Sequence, residues 1–432
     1  LGGSLGDAIW QNENEPSSDW DGLWYAAESQ EGDKWFSEFY LPWDVAPIPV
    51  TEEKFIEVKV RLVRYFFEDN EWTSYPPIWG DDTRFISKFE PIQIQNFSKE
   101  SSADVDFYPY LTISQEQVTE EQQNKIGGEI FWSIDAEKRL DVTLNPDFGQ
   151  VESDDVIVSF DATETFYDDK RPFFTENQSL FSITGWRLYL INTRRIGGSP
   201  DYNCDTLKEN LIERCKSENR SSSDIDVALR YTQKEKENEF GVFSAFERDD
   251  PLYQGRNFQA IRYRRIFDEG KVGYMLTYAD KPNISRTAQV HTMDYEYSID
   301  RNTRLFGMVS YSEIDQLGVS TEGAALRAVA SRVFNEKFSG LWALSVFDEG
   351  YDLNDMGYME MKEYISTGWQ ARYKESEFSE SSPLRNLTLE TNGGHQRSIS
   401  GINGGGMAYF SLNLDFKDYS SVYLFCVCFL VK

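Results

Sequence analysis

The feature that most constrains this chain is a series of segments, each about ten residues long, in which apolar and polar residues alternate. From residue 293 to residue 300, for example, Met, Tyr, Tyr and Ile alternate with Asp, Glu, Ser and Asp. Because successive side chains of a strand point to opposite faces, each segment predicts a β-strand with one apolar face. Similar segments lie at residues 225–231, 240–247, 259–267, 271–278, 304–312, 323–333, 340–347, 365–374 and 410–417.

The polar faces of these segments favour a barrel around water over a dry core. They carry full charges such as Arg262 and Asp294, which a closed soluble core would reject and a wet lumen accepts. A strand of about ten residues, once tilted, also crosses a bilayer. We therefore predict an all-β chain that contains an antiparallel, outer-membrane-type β-barrel. The alternation alone also fits a soluble sandwich or propeller.

Composition narrows the possible partners. The chain has 73 acidic and 43 basic residues and a net charge of −30, which argues against nucleic acid as a partner. Aromatic residues make up 15 % of it, as expected of aromatic girdles at a membrane or of sugar-stacking platforms. No apolar run reaches the roughly 18 residues of a membrane-spanning helix. Residue 1 is leucine, and we read the chain as a mature form or a fragment.

The four cysteines fall into two pairs. Cys204 and Cys215 flank a polar segment, and we predict a disulfide between them in an oxidising compartment; two free thiols are the alternative. Cys426 and Cys428 are one residue apart in an apolar tail, so they do not form a C-x-x-C redox motif.

Three sequence motifs stand out. The first is the block at residues 145–181, in which an Asn-Pro-Asp turn precedes an acidic stretch and a Lys-Arg-Pro-Phe-Phe element. The second is Thr-Arg-Arg-Ile-Gly at residues 193–197, and the third is Asn-Asp-Met-Gly-Tyr at residues 354–358. At the N-terminus, five of the eleven tryptophans fall within residues 1–43, and two short strands are predicted around a turn at residues 31–33.

These motifs resemble a bacterial outer-membrane family of uncharacterised function. In that family a periplasmic domain similar to the family 9 carbohydrate-binding modules precedes a transmembrane β-barrel. The Asp-Gly-x-Trp at residues 21–24 and the Trp-x-x-Glu-x-x-x-Pro at residues 35–42 match that domain. The resemblance implies a partial carbohydrate-binding-like β-sandwich at residues 1–100, a plug-like connector at 101–185 and a barrel at 186–432. It places the chain in the outer membrane, with the N-terminal domain in the periplasm.

The resemblance also assigns roles to residues. A sugar platform is expected at Trp10, Asn12, Asp21, Trp24 and Trp43; packing of the indoles in a sandwich core is the alternative. The signature residues are expected to be structural, and they are Asn145, Pro146, Asp147, Phe148, Gln150, Glu152, Glu164, Lys170, Arg171, Pro172, Phe173, Phe174, Glu176, Arg194, Arg195, Asn354, Asp355 and Gly357.

Nothing in the sequence requires catalysis, a metal or a cofactor. His291 and His395 lack the partners of a nucleophile system, His395 being expected in a glycine-rich loop. Residues 352–363 approach a calcium loop, but Met356 fills a position where an oxygen ligand belongs. Gly404–Gly406 are expected in a hairpin turn. The tail at 420–432 is apolar on both faces and ends in lysine, unlike a usual last barrel strand, so we predict an incomplete barrel.

The sequence therefore predicts a barrel that binds or passes glycans or other small solutes. Its expected partners are outer-membrane lipid, the solute and the machinery that assembles barrels. Two alternatives remain open. One is a hydrolase of O-glycosyl bonds in carbohydrate catabolism, for which two carboxylates would suffice. The other is a structural envelope or assembly factor.

Overall fold

The computed structural model describes residues 6, 8–10, 16–17, 24–32, 34–42, 55–66, 71–78, 86–95, 103–115, 122–135, 137–146, 166–167, 169–175, 180–183, 188–217, 222–235, 237–300, 302–335, 337–376, 378–379, 381–418 and 420–430. Most of these residues lie in β-strands, as the sequence predicts. The helical elements are α1 (Pro172–Thr175), α2 (Glu209–Ser217) and 3₁₀ turns at Ile86–Lys88, Thr193–Arg195, Cys204–Thr206 and Pro282–Ile284.

The described residues of the N-terminal region form four two-stranded antiparallel sheets. Their strands are β1 (Ile9–Trp10), β2 (Pro16–Ser17), β3 (Tyr25–Glu31), β4 (Lys34–Tyr40), β5 (Phe55–Val60), β6 (Leu62–Phe66), β7 (Glu71–Tyr75) and β8 (Glu90–Gln95). They pair as β1–β2, β3–β4, β5–β8 and β6–β7. The β3–β4 hairpin turns where the sequence predicts, with Gly32 at a φ of 63°. The sandwich expected over residues 1–100 stays a prediction.

The rest of the described chain is dominated by one fifteen-stranded antiparallel sheet. Its strands are β9 (Asp104–Gln115), β10 (Gln122–Ser133), β11 (Lys138–Leu144), β13 (Ile225–Lys234), β14 (Asn238–Glu247), β15 (Asn257–Phe267), β16 (Gly270–Lys281), β17 (Arg286–Asp300), β18 (Thr303–Gln316), β19 (Val319–Val333), β20 (Phe338–Phe347), β22 (Tyr364–Glu375), β23 (Leu384–Ser398), β24 (Asn403–Phe416) and β25 (Ser421–Leu430). Each strand pairs with the next in chain order, and β9 and β25 lie at the two edges. The short strands β12 (Leu188–Tyr189) and β21 (Tyr358–Met359) pair only with each other.

The sheet begins earlier than the sequence analysis predicts. We expected it from residue 186, with residues 101–185 as a connector, but β9, β10 and β11 already belong to it. Pro109 lies within the first of these strands. It is tolerated there because β9 is an edge strand, where an amide hydrogen can be dispensed with. The apolar side chains of Val105, Phe107 and Leu111 lie on one exposed face of β9.

The predicted alternation is otherwise confirmed, with three local corrections. Strict alternation would put Ile225 on the same face as Val227. A register shift between the two residues puts Ile225 on the opposite face, where it is buried. His395 lies within β23 rather than in a loop. Residues 399–402, with Gly401 at a φ of 98°, connect β23 to β24, whereas Gly404–Gly406 lie inside β24. The three glycines resemble turn residues in sequence, and a register shift between Gln396 and Arg397 accommodates them in the strand.

Candidate functional site

Two stretches of chain outside the fifteen-stranded sheet pack on one of its faces, which we call the inner face. The plug segment comprises the described residues 169–175, 180–183 and 188–197, and the inserted loop comprises residues 348–363. Both contribute to one buried apolar cluster with the strands from β13 to β20. Its largest members are Phe173, Phe174, Leu180, Phe181, Leu188, Leu190, Ile196, Tyr351, Leu353 and Met356 from the two stretches, and Phe243, Phe258, Met275, Met308 and Phe347 from the sheet. The inner face of these strands is therefore covered.

Within the plug segment, Arg171 joins the first predicted motif to the second. Its guanidinium donates to the carbonyl oxygens of Ile196 (2.8 Å) and Thr193 (2.6 Å) and pairs with Asp169 (2.6 Å). It also lies 4.1 Å from the centre of the Phe174 ring. Burial alone would raise the pKa of Asp169, but the hydrogen bonds from Arg171 and Thr193 outweigh it and lower that pKa. The Asp169 carboxylate therefore stays charged at neutral pH.

The second motif in turn contacts the third, on the inserted loop. The β12–β21 ladder pairs Leu188 with Met359, and the amide of Asn192 donates to the carbonyl of Met356 (2.8 Å). The Nε of Arg195 donates to the carbonyl of Gly357 (3.3 Å). The three motifs that are separate in sequence are thus one connected cluster in the structure.

Ion pairs anchor the inserted loop to β16 and β17. Asp355 accepts hydrogen bonds from Arg286 (2.8 and 2.7 Å) and pairs with Lys281 (2.9 Å). Burial opposes the charged form of Asp355, yet the bond from Arg286 and the charge of Lys281 prevail, so its pKa is lowered. Further along the loop, Tyr351 donates to Ser310 of β18 (2.8 Å), and burial raises the pKa of this tyrosine.

Many inner-face charges of the sheet itself are held in ion pairs. Arg262, with an exposed fraction of 0 %, binds both carboxylate oxygens of Asp294 from β17 and donates to the carbonyl of Leu180 (3.2 Å). Arg230 of β13 pairs with Asp141 of β11 at 2.7 Å. Two more groups are Arg264 with Glu239, and Glu296 with Lys271 and Arg304. These carboxylates are neutralised by neighbouring cations, so none of them is set up as a general acid or base.

Beyond β20 the inner face changes character. From β22 to β24 it carries mostly amides, hydroxyls and small residues at intermediate exposure, and these are Ser366, Gly368, Gln370, Arg372, Thr388, Glu390, Asn392, Ser411 and Asn413. The Gln370 amide donates to Glu390 (2.5 Å), which lies 3.6 Å from Arg372. Such a surface can exchange hydrogen bonds with water or with a polar solute.

The opposite face of the sheet, which we call the outer face, is apolar and exposed. Its exposed large side chains are Ile261, Tyr263, Val272, Tyr274, Met293, Tyr297, Ile299, Val309, Tyr311, Leu326, Trp342, Trp369, Leu389 and Phe410. They extend over the strands from β15 to β24, and in each strand they alternate with inner-face residues. A contiguous apolar surface of this extent marks contact with a partner or with lipid.

Several predicted signature residues take part in these contacts. Asn145 lies at the end of β11 with a φ of 48°, donates to the carbonyl of Ile126 (2.5 Å) and accepts from Arg248 (2.9 Å). Pro146 follows Asn145, and Lys170 is exposed. The backbone amide of Arg194 donates a hydrogen bond to the side-chain oxygen of Asn192 (3.2 Å). Pro172 opens α1. Asp147, Phe148, Gln150, Glu152, Glu164 and Glu176 lie outside the described residues.

The predicted sugar platform is described only at Trp24, which is half-buried and stacks on Phe39 with ring centres 6.4 Å apart. Asn12, Asp21, Trp43 and the side chain of Trp10 lie outside the described part. The platform therefore stays a prediction. The predicted disulfide is present: the sulfurs of Cys204 and Cys215 are bonded, with 5.7 Å between the Cα atoms. It ties α2 to the preceding 3₁₀ turn.

Some site residues were missed by sequence reasoning. Glu247 at the end of β14 accepts from the amide of Gly197 (2.8 Å) and pairs with Arg256 (2.7 Å), so it holds the end of the plug segment. Asp169 holds the plug segment, and Arg286 holds the inserted loop. Each is one charge among many in the sequence, and only the folded structure shows its partner. Among the described residues, no cluster of His, Cys, Asp and Glu could hold a metal ion. No helix in those same ranges is long and apolar enough to span a membrane.

Comparison with known proteins gives one family match. Residues 103–248 match a family described as a domain of unknown function (DUF5916). This range covers β9 to β14, the plug segment and the disulfide. No curated protein matches the chain.

The solved structures that this chain matches include an outer-membrane protein and a toluene transporter. The protein OpdK of Pseudomonas aeruginosa is 10 % identical, with 72 % of this chain and 76 % of that chain covered and a TM-score of 0.29. OccK11 (OpdR) of the same organism is 9 % identical, with 79 % and 89 % covered and a TM-score of 0.29. The toluene transporter TodX of Pseudomonas putida is 11 % identical, with 57 % and 93 % covered and a TM-score of 0.21. Similarity at this level assigns neither a substrate nor an activity to this chain.

Proposed function

We propose that this chain is a transmembrane β-barrel of the bacterial outer membrane that binds or passes small polar solutes. The observation that carries the proposal is the division of one sheet into an exposed apolar face and an inner face of ion pairs and amides. In a soluble protein the apolar face would be the buried one. Here Met293 is 57 % exposed while the fully buried Arg262 lies on the other face.

The dimensions of the sheet support the same proposal. Its strands from β13 to β25 are 10 to 15 residues long, which is sufficient for a tilted strand to cross a bilayer. In lipid the backbone groups along the edges of β9 and β25 must also be paired, because an unsatisfied peptide group there is costly. We therefore expect the edge backbone groups of β9 and β25 to be hydrogen-bonded when the protein is in the membrane.

The inner face offers a path for solute beside the plug segment. The plug segment and the inserted loop cover the strands from β13 to β20, whereas β22 to β24 present amides and hydroxyls. These groups replace the hydration shell of a neutral polar solute by hydrogen bonds. A sugar is one such solute, and the expected carbohydrate-binding role of the N-terminal region belongs to this proposal.

Connection lengths support a periplasmic N-terminal region. At one end of the sheet most connections are short, with residues 235–237, 268–269 and 301–302 between strands, and residues 376–383 form a longer one. At the other end lie residues 248–256 and the inserted loop, beside the shorter connections 282–285 and 317–318. Outer-membrane barrels have short periplasmic turns, and β9 starts at the short-turn end, since Asp104 pairs with Ser133. The chain before β9 would then lie in the periplasm.

No observation favours the hydrolase alternative. The described inner-face carboxylates Asp141, Glu239, Asp294 and Glu296 are each bound to a cation, whereas glycoside hydrolysis needs an acid and a base flanking the scissile bond. A structural role in the envelope is an outcome of the test below.

Liposome swelling with a size series of neutral sugars tests the proposed passage. We expect swelling with the wild-type protein, and slower swelling with Gly368→Trp, because Gly368 is on the inner face of β22 with room for a Cβ. Leu389→Trp is the matched control, since Leu389 is exposed on the outer face of β23. Absence of wild-type flux for every sugar would reject passage and leave the structural role. Equal rates for both variants would reject this path.

A further inference from the structure

One inner-face cation stands apart from the ion pairs described above. Arg327 lies in the middle of β19, and within the described ranges it has neither a carboxylate within ion-pair distance nor a side-chain hydrogen bond. The inner-face arginines Arg230, Arg262, Arg264 and Arg304 each have a carboxylate partner. A guanidinium without a partner is therefore an exception on this face.

The surroundings of Arg327 make this exception costly. Its nearest inner-face neighbours are Ala325 and Val329 along the strand, Met308 on β18 and Ser345 on β20. All four are buried, with exposed fractions between 2 % and 6 %. Arg327 itself is half-buried. A charge taken partly out of water without a counter-ion destabilises the fold, so its presence calls for a role other than stability.

The polar side chains beside Arg327 are serine hydroxyls, which can donate hydrogen bonds and carry no negative charge. Ser345 is its cross-strand partner, and Ser366 follows Ser345 on β22. Directly opposed side chains of an antiparallel pair have Cβ atoms about 4.5–5.5 Å apart, so one small ligand can reach Arg327 and both hydroxyls.

The uncovered part of the inner surface begins at β22, two strands from Arg327 along the row that contains Ser345 and Ser366. Next to Ser345 and Ser366 on the same face come Ala343 and Gly368, and the small residues leave space there. A Cβ placed on Gly368 would meet its nearest atom at 3.6 Å, which is ordinary contact. A ligand that reaches the amide-lined strands can therefore approach the guanidinium.

We propose that Arg327, with Ser345 and Ser366, binds the oxyanion group of a solute. This inference rests on the proposed function and narrows its solute class to molecules that carry a carboxylate or a phosphate. A guanidinium presents several N–H groups in a fixed plane that matches two oxygens of such a group, and the hydroxyls donate to the remaining lone pairs. The bound anion supplies the counter-charge that Arg327 lacks in the protein.

Calorimetric titration of the detergent-solubilised full chain tests the site without requiring passage. The probes are benzoate, inorganic phosphate and, as the uncharged analogue of benzoate, benzamide. We expect benzoate or phosphate to bind and benzamide not to bind. Whichever of the two anions binds with the higher affinity is the preferred oxyanion.

Substitutions then locate the site. Arg327→Gln should weaken binding of the preferred anion by roughly tenfold or more, the usual worth of a charged hydrogen bond. The matched control is Arg332→Gln, which removes the same charge from an exposed position of the same strand. Arg327→Lys, which keeps the charge but not the planar fork, should bind a few-fold more weakly than wild type. If Arg327→Gln does not fold, Arg327→Lys and Ser345→Ala decide.

The outcomes separate the site from the proposed function. No binding of either anion by the wild-type protein, or equal loss in Arg327→Gln and Arg332→Gln, would overturn the site while leaving sugar flux as evidence for passage. Unchanged affinity in both Arg327→Lys and Ser345→Ala would overturn it as well. Anion binding that depends on Arg327, in a protein that passes neither the sugars nor the bound anion into liposomes, would keep the site and reject passage.

Discussion

The Nε of Arg195 donates a hydrogen bond to the carbonyl oxygen of Gly357, 162 positions further along the chain. This bond joins two short motifs that the sequence presents as unrelated. With Arg171 bound to Thr193 and Ile196, it makes the plug segment and the inserted loop one unit on the inner face. The signature of the chain is thus a set of contacts that hold this unit in place.

Gly357→Ala should loosen that unit. A Cβ at Gly357 would lie 2.5 Å from the carbonyl oxygen of Tyr189, a backbone atom that cannot move aside cheaply. We expect a loss of about 1–3 kcal/mol in the free energy of unfolding, as for overpacking in a core. Denaturant unfolding in detergent measures it. Gly368→Ala is the control, because its Cβ meets only ordinary contact, and equal losses in the two variants would contradict the account.

Asp294→Asn should destabilise the sheet far more than a surface pair would predict. It leaves the charge of Arg262 buried with only the Leu180 carbonyl and a neutral amide as partners. The expected cost in unfolding free energy is about 3–5 kcal/mol. Asp226→Asn breaks the exposed Arg248–Asp226 pair and should cost less than about 1 kcal/mol. Similar losses from the two substitutions would show that Arg262 is solvated.

Acid should release the inserted loop through Asp355. Its folded pKa lies below the usual 3.8, so its pairing stabilises the fold fully above that value and is lost as the pH falls through the folded pKa. The difference in unfolding free energy between wild type and Asp355→Asn should therefore be constant from pH 6 to pH 8 and shrink below about pH 4. A difference that is independent of pH down to the folded pKa would contradict the pairing with Arg286 and Lys281.

Removing the disulfide should destabilise the segment that contains α2 and leave the sheet intact. Cys204 and Cys215 close a loop with a sequence separation of 11, for which chain entropy predicts about 3 kcal/mol. We expect the paired Cys204→Ser and Cys215→Ser variant to be cut by trypsin at Lys208 or Arg214 faster than wild type. The paired Cys426→Ser and Cys428→Ser variant is the control, since both thiols are free. Equal cleavage rates would mean that other contacts hold the segment.

Strand positions in this chain could be predicted because alternation records which face a residue takes. The prediction failed where a residue type has two uses. Pro109 lies in an edge strand although its segment was expected to be a connector, and Gly404–Gly406 were expected in a turn but lie in β24. In both places the deciding fact is the neighbouring strand, which local sequence does not contain.

The candidate site could be predicted only in its outline. The motifs around Arg171, Arg195 and Gly357 were recognised, but their mutual contact depends on how two long connections fold back on the sheet. The partners of Arg262 and the isolation of Arg327 depend on strand register across several hairpins. With 43 basic and 73 acidic residues, the sequence allows many pairings, and only the register selects among them.

Spin-label accessibility in reconstituted bilayers shows which face of the sheet contacts lipid and which contacts water. Single cysteines would be placed by Trp369→Cys and Leu389→Cys on the outer face and by Ser366→Cys and Asn392→Cys on the inner face of the same two strands, in a background with Cys426→Ser and Cys428→Ser. We predict that labels at residues 369 and 389 collide with oxygen dissolved in lipid. Labels at residues 366 and 392 should collide with a water-soluble nickel reagent. Labels that show the reverse, or the same accessibility on both faces, would contradict the account.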